Sequence, residues 1–408
     1  MGAFVQLEEE KYMQKNKFVI TVLLMNIFIV FLGIGLIIPI MPSFIDEMNL
    51  NGSIMGYMMA AFSLTQFIFS PFAGKWIDRY GRKTMIVVGL FIFSLSELIF
   101  GLGNHVGVLF FSRILGGISA AFIMPGVTTY MADITTLKER PKAMGYISAA
   151  ISTGFIIGPG VGGLIAELGI RAPFFFAAII SCIVAIISLI ILKEPFSREE
   201  LQEKAAISAQ SNFYADIKKS FKPMYFIAFF IVFVLAFGLS AYETVFSLFT
   251  DHKFGFLPKH IAFIITISSI IAVIAQVLLF DLAVKVWGEK KLIQLCLVIG
   301  TVSALVSTVV GSFWLVLIVT CIIFLCFDIL RPALTTFLSR MAGSEQAFVA
   351  GMNSAYTSLG NIVGPALAGI LFDWNLNFPY LFSAVILVIG FGITLFWKEV
   401  QFDKQIKM

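Results

Sequence analysis

Apolar residues in this chain neither alternate nor fall into the three-and-four spacing of a surface helix. They run on for about twenty residues at a time between short polar segments, and they do so twelve times. A helix that is apolar all round lies in a large core or in lipid, and about 20 such residues cross the hydrocarbon of a bilayer. The runs predict spans at about 18–41, 54–74, 84–102, 106–131, 143–168, 173–192, 224–249, 258–281, 291–310, 312–338, 348–372 and 378–397. Lipid offers backbone groups no hydrogen-bond partner, and runs of this length are too long and continuous for barrel strands, so they must be helices. The short connections force neighbouring helices antiparallel.

The second half of the pattern copies the first. Pro125-Gly-Val-Thr-Thr-Tyr-Met falls on Pro332-Ala-Leu-Thr-Thr-Phe-Leu, Ser148-Ala149 on Ser354-Ala355, Gly154 on Gly360, Gly158-Pro159 on Gly364-Pro365, and Pro173 on Pro379. The shift stays at 206 or 207 residues across all these anchors. The expected fold is an all-α integral membrane protein: twelve transmembrane helices in two pseudo-symmetric six-helix bundles. Residues 1–192 form one bundle and 223–408 the other, joined by a linker at 193–222. Transporters built from such repeats handle substrate near the bilayer midplane, where the repeats meet.

Charge then orients the spans. Only 13% of the 408 residues are charged, against 59% hydrophobic, and the mean hydropathy is +0.97. A soluble chain carries roughly a quarter charged residues. With the N-terminus inside, the inner segments hold 23 of the 28 Lys and Arg residues and the outer loops only Arg171, Lys253 and Lys259. This bias puts both termini in the cytoplasm. The net charge of +4 therefore reports topology, not affinity for nucleic acid. The first run is of spanning length and lacks a small-residue cleavage site, so it is not read as a signal peptide. Cys182, Cys296, Cys321 and Cys326 lie within spans as small apolar residues. His105, His252 and His260 fall at outer loops without clustering, so no metal site is expected.

Five ionisable residues stand inside spans: Glu97, Arg113, Glu243, Asp328 and Arg331. Such residues are functional candidates by default. Glu243 sits in span seven among Phe237, Tyr242 and Phe246. A carboxylate among rings is poorly solvated when charged, which suits a group that loads and releases a proton and can also face a cation. Asp328 and Arg331 are three apart and share a helix face with Phe324. They form either a local ion pair or a switch in which protonating Asp328 frees Arg331. Glu97 has no obvious partner and is expected to be structural. Phe31, Phe62, Phe155 and Phe324 are candidates for an adaptable apolar cavity wall. Gln66, Asn26, Asn353 and Asn361 either line that cavity or bridge helices.

Four motifs carry a family resemblance. The 2–3 loop, Gly74-Lys-Trp-Ile-Asp78-Arg79-Tyr-Gly81-Arg82-Lys83, resembles the signature loop of the major facilitator superfamily, with a degenerate copy at Asp281–Lys291. In that reading Asp78 pairs with a cation or a helix N-terminus and latches the inner gate. Arg113-Ile-Leu-Gly-Gly117 resembles the motif of proton-coupled members, which gives Arg113 a part in proton coupling; the alternative is an anchor on carbonyls of span one. Gly154-Phe155-Ile-Ile-Gly158-Pro159-Gly160-Val-Gly162-Gly163 looks like the motif that marks drug antiporters. Together with Leu32-Gly33 through Pro42 in span one, Tyr242-Glu243, and Phe327-Asp328-Ile-Leu-Arg331-Pro332, the resemblance narrows to the twelve-span drug:proton antiporters of the Bmr and NorA group, Gram-positive multidrug exporters.

The resemblance implies a monomeric antiporter in the cell membrane of a bacterium, with both termini cytoplasmic. It would exchange protons for small lipophilic drugs and dyes, often cationic, with membrane lipids around it. It would need no cofactor beyond the proton as coupling ion. A proton-coupled nutrient symporter and a non-transporting membrane sensor of the same fold are the alternatives. No nucleotide loop, metal cluster or nucleophile triad suggests an enzyme.

Overall fold

The computed structural model describes the backbone of residues 2–136, 139–197, 199–201, 218–342 and 346–395. Among these every regular element is helical, and twelve helices are long and apolar enough to cross a membrane. They run Phe18–Glu47, Gly52–Tyr80, Arg82–Leu102, Val106–Asp133, Lys142–Leu168, Ala172–Ile191, Tyr225–Phe254, Pro258–Phe280, Leu282–Ser307, Phe313–Leu338, Gly351–Trp374 and Phe378–Leu395, and are numbered here as spans one to twelve. Most of the 193–222 linker lies outside the described residues.

Three details differ from the expected spans. Span one is not one smooth helix: it passes through a 3-10 turn at Ile38–Ile40 and resumes at Met41–Glu47, with Pro39 and Pro42 at the break. A proline lacks the N–H that would continue the α-helical ladder. The 2–3 loop is a single residue. Span two continues to Tyr80 and span three starts at Arg82, with only Gly81 leaving the helical region at φ 97°. Spans eight and nine likewise belong to one helical run, Pro258–Ser307, whose break is at Gly288, φ 72°, six residues into span nine. Gly81 and Gly288 are 207 residues apart, so both copies turn with a left-handed glycine at the same place.

The chain divides into two compact units, one of residues 1–211 with 246–267 and the other of 212–245 with 268–408. In the first, span one packs on spans five and six, span three on spans four and six, and span two on span four. Its core includes Leu23, Ile27 and Leu36 of span one, Ile86, Leu90 and Phe93 of span three, and Ile123 and Val127 of span four. On the face opposite Gly81, Phe100 and Phe174 stack, and Phe44 packs tilted against both. Arg171 covers them, bonding Glu47 at 3.1 Å and the carbonyls of Gly101 and Gly103 at 3.0 Å each. Asn26 accepts from Ser188 at 2.8 Å and so bridges spans one and six. In the second unit span seven carries a column of rings, Phe226, Phe230, Phe233 and Phe237, with neighbouring centroids 5.9 to 6.0 Å apart.

Candidate functional site

The glycines of span five are a packing surface with two sides. A Cβ on Gly154 would stand 2.9 Å from the backbone of Phe28 and Leu32, one on Gly158 2.8 Å from the Cα of Gly35, and one on Gly162 2.1 Å from the carbonyl oxygen of Leu36. These three positions, four residues apart, press one face of span five onto the backbone of span one. Pro159 stays within the helix and touches Gly35. Gly160 and Gly163 point elsewhere, to Thr266 and Ala262 at the start of span eight. The second copy repeats the first contact: Gly360 and Gly364 lie against the backbone of Phe237 in span seven. Small residues allow such approach where apolar surface gives helices no reason to prefer each other over lipid.

Beside that seam, Phe31 and Phe155 meet edge to face with centroids 5.0 Å apart. Phe155 is more than a third exposed. Phe62, named with them as a cavity residue, lies elsewhere: its ring covers Gly116 and its carbonyl faces Gly117, joining spans two and four. Gln66 is half-buried next to it, and its carbonyl accepts from Ser70.

The second unit gathers the acids. Every residue of the run 241–250 is buried except Glu243, which is exposed. It stands eleven residues before the end of its helix, ~16 Å along the axis. Arg331 and Asp328 of span ten both act on it electrostatically. No ion pair among the described residues joins Glu243, Asp328 and Arg331 to one another. The local Asp328–Arg331 pair considered from the sequence is therefore not closed. Tyr242, expected at the cavity wall, is 3% exposed; its hydroxyl reaches Thr320 at 3.3 Å, and its ring meets Phe324 and Tyr380 edge-on. Asn353 and Asn361 are half-buried in span eleven.

Glu97 does have a partner. Arg113 donates to its carboxylate at 3.1 Å, with both side chains buried, and the guanidinium lies 4.3 Å over the ring of Phe100. Ser96 and Ser112 beside them exchange side-chain bonds to each other's carbonyls at 2.9 and 2.8 Å. Arg113 is thus held by an ion pair across the hairpin of spans three and four, where the alternative to proton coupling had been an anchor on span one. The sequence hides it because the partners are 16 residues apart around a turn. The second oxygen of Glu97 and the Nε of Arg113 have no hydrogen-bond partner among the described residues.

At the Gly81 face, Arg82 is the hub of the signature loop. It is 2% exposed and binds Asp78 at 3.1 Å, Asp133 at 2.8 Å and the carbonyl of Ile77 at 3.2 Å. Asp78 thus pairs within its own motif. Arg79 is exposed and stacks on Tyr80, and Gly74 has open space where a Cβ would be. Asp133 and Glu194 were not singled out from the sequence; they lie 51 and 112 residues from Arg82. Burial pushes the Glu194 carboxyl above its ordinary value, outweighing the backbone N–H bonds and the Arg82 charge that favour its ionised form. On the opposite face Asp46, Asp251 and His252 approach within 4.8 Å, so one histidine does join two acids.

A model of the Major Facilitator Superfamily matches residues 23–257 and 228–407. The chain is 64% identical over 394 residues to multidrug resistance protein 2 of Bacillus subtilis (strain 168), covering 97% of this chain and 98% of that protein. It is 38% identical over 381 residues to the quinolone resistance protein NorA of Staphylococcus aureus (strain MRSA252), covering 93% and 96%. The solved nucleoside transporter NupG superimposes with a TM-score of 0.75 at 16% identity, over 93% of this chain and 99% of that one. With its twelve apolar helices, its repeated glycine seam and this match over nearly its whole length, the chain is a multi-pass membrane protein that belongs to the Major Facilitator Superfamily of transporters.

Proposed function

We propose that the chain is a proton-coupled multidrug efflux antiporter that exports lipophilic, often cationic compounds by alternating access. The observation that carries this reading is Glu243: an acid exposed within an otherwise buried stretch of a membrane helix, under the influence of Asp328 and Arg331 but locked to neither. An acid so placed can hold either a proton or a cationic substrate, and exclusion of one by the other is antiport. Asp328 and Arg331 transmit the change of charge, and Arg113 takes part in proton coupling. Phe31, Phe155 and Phe324 supply an apolar surface, with Asn353 as a polar contact. The names of the relatives support drugs as the substrate class. The protein acts as a monomer in the bacterial cell membrane with both termini in the cytoplasm.

The driving force suffices. A potential of about 100 mV gives roughly 2.3 kcal/mol per proton, and one pH unit adds about 1.4 kcal/mol. Together they hold a neutral substrate at a gradient of a few hundredfold with one proton per cycle. A monovalent cation exchanged for one proton draws on the pH term alone.

The test is ethidium accumulation in everted vesicles under an inside-acid gradient, with Glu243→Gln beside the parent. Accumulation that collapses with an uncoupler and disappears in the variant is expected. Gradient-driven flux that survives the substitution would move coupling to Asp328 or Arg113. No flux with a panel of lipophilic cations would overturn the multidrug reading.

A further inference from the structure

The connection that leaves span six opens with Lys193-Glu194-Pro195-Phe196, and this stretch is fastened to the Gly81 junction at four points. Tyr130 of span four donates its hydroxyl to the Lys193 carbonyl. The two Glu194 oxygens accept separately from the backbone N–H groups of Arg82, at 3.1 Å, and Lys83, at 2.9 Å. The Phe196 ring lies 4.8 Å from the Arg82 guanidinium.

Those two N–H groups open span three and have no acceptor within their own helix. The usual remedy is a side chain just before the helix. Here that position is Gly81, which has no side chain, and a Cβ there would come within 2.4 Å of a Glu194 oxygen. The glycine both makes the turn and leaves room for the carboxylate. The cap is thus delivered from 112 residues away, where its charge faces the positive end of the helix. The same Arg82 whose N–H it binds holds Asp78 and Asp133 through its side chain.

We propose that Glu194 is a positioning residue of the transport cycle: it caps span three in trans and ties the 6–7 connection to the Asp78–Arg82–Asp133 cluster, so that this cluster loosens only when the connection lets go. The part played in transport rests on the efflux reading; the cap itself does not. The full chain is tested in lipid nanodiscs by hydrogen exchange, and in proteoliposomes by ethidium flux. The variants are Glu194→Gln, Glu194→Asp and Tyr130→Phe, with exposed Glu199→Gln as control.

Glu194→Gln nearly preserves shape but offers one acceptor where two are needed. It is expected to raise exchange of amides at the start of span three by about tenfold, the effect of losing a single charge-assisted bond. Maximal flux is expected to fall at least about threefold with KM little changed, the pattern of a step after binding. Glu194→Asp is one methylene short and should not restore either; Tyr130→Phe should raise the same exchange, and Glu199→Gln should alter nothing. Exchange unchanged in Glu194→Gln overturns the cap. Raised exchange with unchanged flux overturns the part in transport and leaves a structural staple. A parent that moves no ethidium sinks the efflux reading together with the part in transport, while exchange still decides the cap.

Discussion

A methyl group on Gly158 would stand 2.8 Å from the Cα of Gly35, so spans five and one meet there backbone to backbone. The contact continues one turn on, where a Cβ on Gly162 would stand 2.1 Å from the Leu36 carbonyl oxygen. No side chain lies between them that a rotamer change could move aside. Gly162→Ala and Gly158→Ala should therefore destabilise the chain by about 1–3 kcal/mol or more, the range for overpacking. Gly145→Ala, with nothing within 4 Å, should be neutral. Thermal unfolding of the three purified variants checks the order; equal midpoints would refute the tight seam.

The buried pair of Arg113 and Glu97 makes a different prediction. Removing one member leaves the other charge buried and unpaired, a loss of about 3–5 kcal/mol. Glu97→Gln or Arg113→Leu alone should lower the melting temperature sharply, and Glu97→Leu with Arg113→Leu should recover most of it. Flux in the double variant then separates the roles. A folded protein without transport supports proton coupling through Arg113, and full transport reduces the pair to an anchor.

Asp328 should behave in the opposite way. No ion pair closes on it among the described residues, so Asp328→Asn breaks none. Its stability should stay within about 1 kcal/mol of the parent, as for a polar exchange without a lost partner, while gradient-driven flux falls at least about tenfold. A loss of stability like that of Glu97→Gln would show that Asp328 is held by a pair after all.

Glu194 and Glu139 should titrate with opposite sign. Glu194 lies above its ordinary value because burial outweighs its bonds. A raised folded value means that its contribution to stability is complete below the unfolded value of 4.5 and is lost as pH rises through the folded one. Glu139 is lowered by its bonds to Thr136, so its contribution is present above 4.5 and lost as pH falls. Melting temperature against pH, parent minus Glu194→Gln, should therefore increase as pH falls from 8 toward 4.5. The same difference for Glu139→Gln should stay level over that range and decrease only below about 4.5, and matching slopes would contradict both assignments.

The sequence by itself determined the twelve spans, because lipid leaves an uninterrupted apolar run no option but a helix. It also determined the repeat, in which Gly81 and Gly288 stand 207 residues apart, while the left-handed turn that both make came from the structure. It located Glu243, since a charge inside such a run is conspicuous wherever it points. Partnership was left to the tertiary structure. Glu97 looked solitary until the hairpin of spans three and four laid Arg113 beside it. Phe62 and Phe155 are equally apolar in sequence, yet one covers Gly116 and the other stays partly open beside Phe31. Asp133 and Glu194 converge on Arg82 from 51 and 112 residues away. Hydropathy and period are properties of one helix read along its own axis, whereas an ion pair or a trans cap depends on which faces of two helices meet. Packing across the bundle sets that choice, and no local pattern encodes it.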